Sequence, residues 1–213
     1  MMKRQLGVGI PMAFQFSIIA IGSIIMQTAL NTFGSKMVAA FTAANKIEQF
    51  STQAFTALGA GIATYAAQNM GAGRLDRVKK GALTGTVIGC TYALIASTVL
   101  VLFGKNLTGL FVSENLAEIT GLVDTYLKAV VIFFIPLNFI FVYRNTLQGM
   151  GYGMMPVLGG VCELLSRSAA AMVGAALGSY TVVCFAQAAA WISSGIFLFA
   201  AYLVIMRKIK RKK

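Results

Sequence analysis

The sequence predicts an all-α integral membrane protein with six transmembrane helices, and three observations carry that expectation. Of the 213 residues, 58% are hydrophobic and only 11% are charged, whereas a soluble domain carries about 25% charged residues. The chain therefore lacks the polar surface that water demands. Its apolar residues fall into runs long enough to cross a bilayer, about 20 residues each. The periodicity within those runs is helical, with nothing resembling the short alternating strands of a barrel.

Taken in order, the runs cover about 8–32, 37–69, 82–104, 119–146, 155–177 and 180–206. The first follows MMKRQL with no small-residue cleavage site nearby, so it reads as a span rather than a signal peptide. The second exceeds a minimal span and must tilt or extend past the interface. Gly71 and Gly73 suit a left-handed helix end before the third run. The fourth contains Pro136, which frees a backbone carbonyl and permits a kink. Gly149, Gly151 and Gly153 before Pro156 suit a tight turn and a proline-initiated fifth helix. The sixth run ends in a basic tail.

The net charge of +12 is placed between the runs, which makes it a topology signal and points to the lipid bilayer, not nucleic acid, as partner. Lys3, Arg4, Arg74, Arg77, Lys79, Lys80, Arg144, Arg207, Lys208, Lys210, Arg211, Lys212 and Lys213 fall on one side of a six-span arrangement. Lys36 and Lys105, with Glu114 and Glu118, fall on the other. The expectation is a multi-pass protein of the cell membrane with both termini cytoplasmic. Cys90, Cys162 and Cys184 sit inside apolar runs and read as small fillers, not as a disulfide framework or a spaced metal site. With no histidine, scattered cysteines, and Asp76 and Asp124 near the membrane edges, the chain is not expected to be an enzyme or to hold a metal or organic cofactor.

The second run carries a polar stripe. At about 100° per residue, Thr42, Asn45, Lys46, Glu48, Gln49, Thr52, Gln53 and Thr56 fall within an arc of roughly 160°. Ile47, Phe50, Ala54, Ala57 and Leu58 occupy the other side. Such a stripe either lines a water-filled cavity or forms a polar helix–helix seam. Eight polar positions are more than a seam needs, which favours the cavity. Lys46 and Glu48 are two residues apart, so each needs a partner on another helix or in water. Gln15 and Ser17 in the first run and Asn138 beside Pro136 are further candidate lining residues.

Glu163 and Arg167 stand four apart on one helical face, roughly 10 Å and 16 Å in from Pro156 at about 1.5 Å rise per residue. They are either a structural pair facing the protein interior or a cavity-facing pair in which Glu163 titrates or attracts cations. Sequence reasoning ranks the loss of Arg167 as the worse lesion, because a glutamate can be neutralised and an arginine cannot.

Two stretches carry a family resemblance. VAAFTAANKIEQFSTQAFTALGAGIATYAAQNMGAGRLDRVKKG and RNTLQGMGYGMMPVLGGVCELLSR resemble the second half of MATE transporters, the multidrug and toxic compound extrusion family. There a Gly-x-x-x-Gly-Ala-Gly/Lys loop follows the second helix of the half, and a Leu-x-Gly-x-Gly…Pro stretch joins its fourth and fifth helices. The resemblance covers essentially the whole chain. It implies the C-terminal six-helix lobe of a two-lobed transporter, paired with an N-terminal six-helix lobe absent from this chain or with a second copy. It also implies a cation-coupled antiporter that exports small cationic or amphiphilic compounds on a proton or sodium gradient. The acids that some branches carry near Ser17 to Ile19 and near Leu137–Asn138 are absent, so the coupling site is not assigned. The alternatives are a structural membrane subunit and a lipid-linked precursor flippase of the same superfamily. A flippase calls for a strongly cationic cavity, and the mixture of Lys46 and Arg167 with Glu48 and Glu163 argues against it.

Overall fold

A computed structural model describes residues 2–111 and 116–211. Its helices are α1 (Met2–Asn31), α2 (Ser35–Gly71), α3 (Leu75–Thr108), α4 (Leu116–Val131), α5 (Phe134–Gly149), α6 (Met154–Ala176) and α7 (Tyr180–Arg211). Five of the expected runs are single helices. The fourth is two, α4 and α5, meeting at 53° across residues 132–133. The cause is Pro136. It lacks an N–H, and its ring clashes with the carbonyl four residues back, that of Ile132. The break leaves carbonyls without helical partners, and α3 supplies one: Ser97 Oγ donates to the Val131 carbonyl at 2.6 Å.

The loops end their helices by backbone geometry. Gly73 has φ 71°, the Gly73 N–H donates to the Met70 carbonyl, and the Arg74 N–H donates to the Asn69 carbonyl at 2.9 Å. Gly151, φ 88°, closes α5 in the same way, with the Tyr152 N–H on the Leu147 carbonyl at 2.9 Å. Both are left-handed caps that a Cβ would strain. Gly71 is not the left-handed residue of the first pair; it is the last residue of α2.

In the bundle, α6 packs along α7 and α1, while α5 runs between α2, α3 and α7. Small residues set the close approaches. On α3, Gly81, Gly85 and Gly89 recur every four residues, and a Cβ on them would strike Tyr65, Ile62 and Asn138 in turn. The core behind this seam is aromatic: Phe55 is fully buried with its ring centroid 5.2 Å from that of Tyr92 and 6.1 Å from that of Phe134. The outer face carries large apolar side chains, among them Ile24, Phe50, Leu83 and Leu102, as a lipid-facing surface must.

Among the described residues, α1, α3, α6 and α7 are long and apolar enough to cross a membrane, and the bent α4–α5 pair makes a fifth span. α2 has the length, 37 residues, but its polar stripe keeps it outside that set. Lys36–Glu118 at 2.7 Å and Lys105–Asp124 at 3.4 Å tie the start of α2, the end of α3 and α4 together at one end of the bundle. Glu114, Lys212 and Lys213 lie outside the described residues.

Candidate functional site

A cavity of about 650 Å³ opens along α2 and is walled by α1, α5, α6 and α7. Seven of the eight stripe residues line it: Thr42, Asn45, Lys46, Glu48, Gln49, Thr52 and Thr56. Most satisfy their polar atoms on their own helix. Thr42 Oγ1 donates to the Val38 carbonyl at 2.8 Å, Gln49 Nε2 to Asn45 Oδ1 at 2.7 Å, and Thr52 Oγ1 to the Gln49 carbonyl at 3.2 Å. Side chains bonded in this way do not bridge to a neighbouring helix; they present a polar wall.

Glu48 is the exception. It is buried and accepts a hydrogen bond from the Tyr126 hydroxyl of α4, with Gln187 of α7 alongside. Lys46 is exposed, its Nζ 6.0 Å from the centroid of the Phe111 ring, within reach of a cation–π attraction. The two charges thus turn to different neighbours, as their spacing requires.

Glu163 has two partners. Arg167 Nη2 donates to Oε1 at 2.7 Å and Arg144 Nη2 donates to Oε2 at 2.9 Å. The side chains of Arg144, Glu163 and Arg167 are 11%, 8% and 4% exposed, and all three line the cavity. Arg144 is therefore not a loop residue reporting topology. It lies one helical turn inside α5, on the face it shares with Leu137 and Phe141. The available signal was that Arg144 falls inside the apolar run 119–146, where a charge faces the bundle interior or a cavity; its partner was not readable. Trp191 and Gln187, which sequence reasoning did not single out, bring α7 to the same wall.

Four expected lining residues lie elsewhere. Gln15 is buried beside Gly160 of α6, and its Oε1 accepts from Gln148 Nε2 of α5 at 3.0 Å. Ser17 is exposed, its hydroxyl bonded back to the Ala13 carbonyl at 3.0 Å. Asn138 is fully buried in the α3–α5 seam, donating to the Thr86 carbonyl at 3.0 Å over the space that Gly89 leaves. Gln53 is exposed and outside the lining, although it falls within the polar arc. For Gln15 and Asn138 the polar residue type was informative and the helix neighbour decided its direction. Among the described residues, no three His, Cys, Asp or Glu side chains gather as a metal site.

The cavity thus joins a polar wall, a bracketed carboxylate and apolar rings from α2, α5 and α7, including Phe41, Phe141 and Trp191. Three cations, Lys46, Arg144 and Arg167, face two carboxylates, Glu48 and Glu163, leaving one formal positive charge. Such a site can seat a compound with an apolar body and a polar head.

The MatE family profile matches residues 11–173. A probable multidrug resistance protein of Bacillus subtilis (strain 168), YpnP, is 31% identical over 161 residues, which are 76% of this chain and 35% of the relative. A MATE protein crystallised in complex with MaL6 superposes with a TM-score of 0.93 at 19% identity, over 99% of this chain and 48% of that one. A MOP superfamily transporter from Pyrococcus furiosus, described as having a binding pocket of reverse polarity, superposes with a TM-score of 0.90 at 18% identity, over 96% of this chain and 46% of that one. At such identities the structures show the fold alone. The matched lengths show that this chain spans about a third of the curated relative and just under half of the solved chains.

Proposed function

The chain belongs to the MatE family, and from that premise we propose that it forms one lobe of a secondary active, cation-coupled antiporter that exports small amphiphilic or cationic compounds. The observation that carries the reading is the cavity, whose wall on α2 is polar while its α5 and α7 walls are aromatic and charged. A pocket of this composition near the middle of a bundle is a place for substrate, not a packing defect. Its open side is closed by the N-terminal six-helix lobe or by a second copy. Of the two substrate classes, the surplus of one positive charge in the wall favours amphiphiles over simple cations. A proton or sodium gradient supplies the driving force, and both termini face the cytoplasm of a cell whose plasma membrane holds the protein.

Reconstitution of the transporter in liposomes tests this reading. A fluorescent amphiphile should move against an imposed proton or sodium gradient, and an ionophore that collapses the coupling gradient should stop it. Gln49→Trp, which fills the cavity from its polar wall, should abolish movement while the protein keeps its melting temperature. Movement under neither gradient, or full transport by Gln49→Trp, overturns the assignment.

A further inference from the structure

We propose that Arg144 and Arg167, bridged by Glu163, form a cradle for the anionic headgroup of an amphiphilic substrate, a carboxylate or a phosphate. The inference rests on the transport reading and narrows its substrate class.

The first support is the donor count. A guanidinium carries five N–H donors and no acceptor. Each arginine gives its Nη2 to one oxygen of the single carboxylate between them. Among the described residues, the other amino group of neither donates to a protein acceptor. Both side chains line the cavity. On the α1 side, Arg167 Nη1 lies beside Gly22, where a Cβ would sit 3.4 Å from it, an ordinary contact distance. Two forks side by side, each with donors to spare, match the planar oxygens of a carboxylate or the tetrahedral oxygens of a phosphate.

The second support is the state of the carboxylates. A cationic substrate entering the cavity finds both of them engaged: Glu163 by two arginines, Glu48 by the Tyr126 hydroxyl. An anionic headgroup finds the two guanidiniums, and beyond them Lys46, which has no ion-pair partner among the described residues. In a site walled by helices such attraction is far less screened than at a surface. The third support is adjacency. Phe141 lies one turn from Arg144 on the same face of α5, and Trp191 faces the same space from α7. An apolar body therefore lies against rings while its head reaches the arginines.

Trp191 is the chain's sole tryptophan and reports on the cavity from within. In the purified full chain in a neutral maltoside detergent, quenching of Trp191 by three probes on one ring should separate them: 2-naphthoate, 2-naphthamide and 2-naphthyltrimethylammonium. Naphthoate should bind at least about tenfold more tightly than the other two. Arg144→Gln should erase that preference. Glu163→Gln frees both guanidiniums and should tighten naphthoate binding. If that variant is loosely folded, naphthoate should raise its melting temperature more than that of the wild type, as ligand linkage requires. In nanodiscs, competition by phosphatidylglycerol but not by phosphatidylcholine identifies a lipid headgroup as the occupant; no competition identifies a free amphiphile. Either result upholds the cradle. Equal binding of the three probes, tighter binding of the ammonium, or an unchanged naphthoate preference in Arg144→Gln overturns it. A naphthoate preference in a protein that transports nothing sinks the transport reading alone. An ammonium preference in a protein that transports sinks the cradle alone.

Discussion

Glu163 holds two arginines with one carboxylate, and that arithmetic reverses an expectation. With only Arg167 in view, losing the arginine looks worse. With Arg144 on the second oxygen, removing Arg167 still leaves an ion pair, whereas removing Glu163 strands two guanidiniums together. Glu163→Gln is therefore expected to cost about 3–5 kcal/mol, the range for leaving buried charge uncompensated. Arg167→Met should cost about 2 kcal/mol, near the worth of one charged hydrogen bond. Thermal unfolding of both variants in detergent gives the order. The i,i+4 half of this cluster was legible in the sequence because both members lie on one helix. Arg144 was not, because no local spacing connects residues 144 and 163; only the packing of α5 against α6 brings them within 2.9 Å. The same limit explains Gln15 and Asn138. Their polarity announced a need for partners, and the partners, Gln148 and the Thr86 carbonyl, come from other helices.

Between elements, two devices set the geometry. The glycine row on α3 lets α2 and α5 approach until Asn138 occupies the space of an absent Cβ at Gly89. Gly89→Ala should cost about 1–3 kcal/mol by overpacking. Asn138→Ala in the same protein should recover part of that loss, because the collision is between these two positions; a double-mutant cycle by thermal unfolding reads the coupling. The bend between α4 and α5 is the second device. Pro136 forces it, and Ser97 satisfies the carbonyl that it exposes. Ser97→Ala should cost about 1 kcal/mol as that carbonyl loses its donor, and protection of the amides around 132–136 against hydrogen exchange should fall. A kink was legible from the proline. Its position before the proline, and the helix that anchors it, were not, since they depend on the ring's clash four residues back and on a neighbour's hydroxyl.

At the scale of the whole molecule, composition and run length were enough to read the helical membrane fold, because lipid leaves the backbone so few alternatives. The cavity was legible in part. The arc on α2 showed which helix forms its polar wall and the i,i+4 spacing marked the ion pair on α6, while α7 contributes through Gln187 and Trp191, which no periodicity marks. Orientation follows from charge that packing has not recruited. With Arg144 withdrawn into the bundle, Arg74, Arg77, Lys79, Lys80 and the end of α7 still hold one side. A cysteine at Lys210 should react with a membrane-impermeant thiol reagent only in inverted vesicles, and one at Lys105 only in intact cells; the opposite pattern overturns the cytoplasmic placement of the C-terminus. The polar wall has a consequence for biogenesis. A lysine or acidic residue at mid-helix costs about 2.5–3.5 kcal/mol in translocon-mediated insertion, and α2 carries Lys46 and Glu48 together with three amides, at Asn45, Gln49 and Gln53. Left to partition alone, α2 would stay out of the lipid. It settles instead when α4 offers Tyr126 to Glu48, a residue the ribosome adds 78 positions after Glu48.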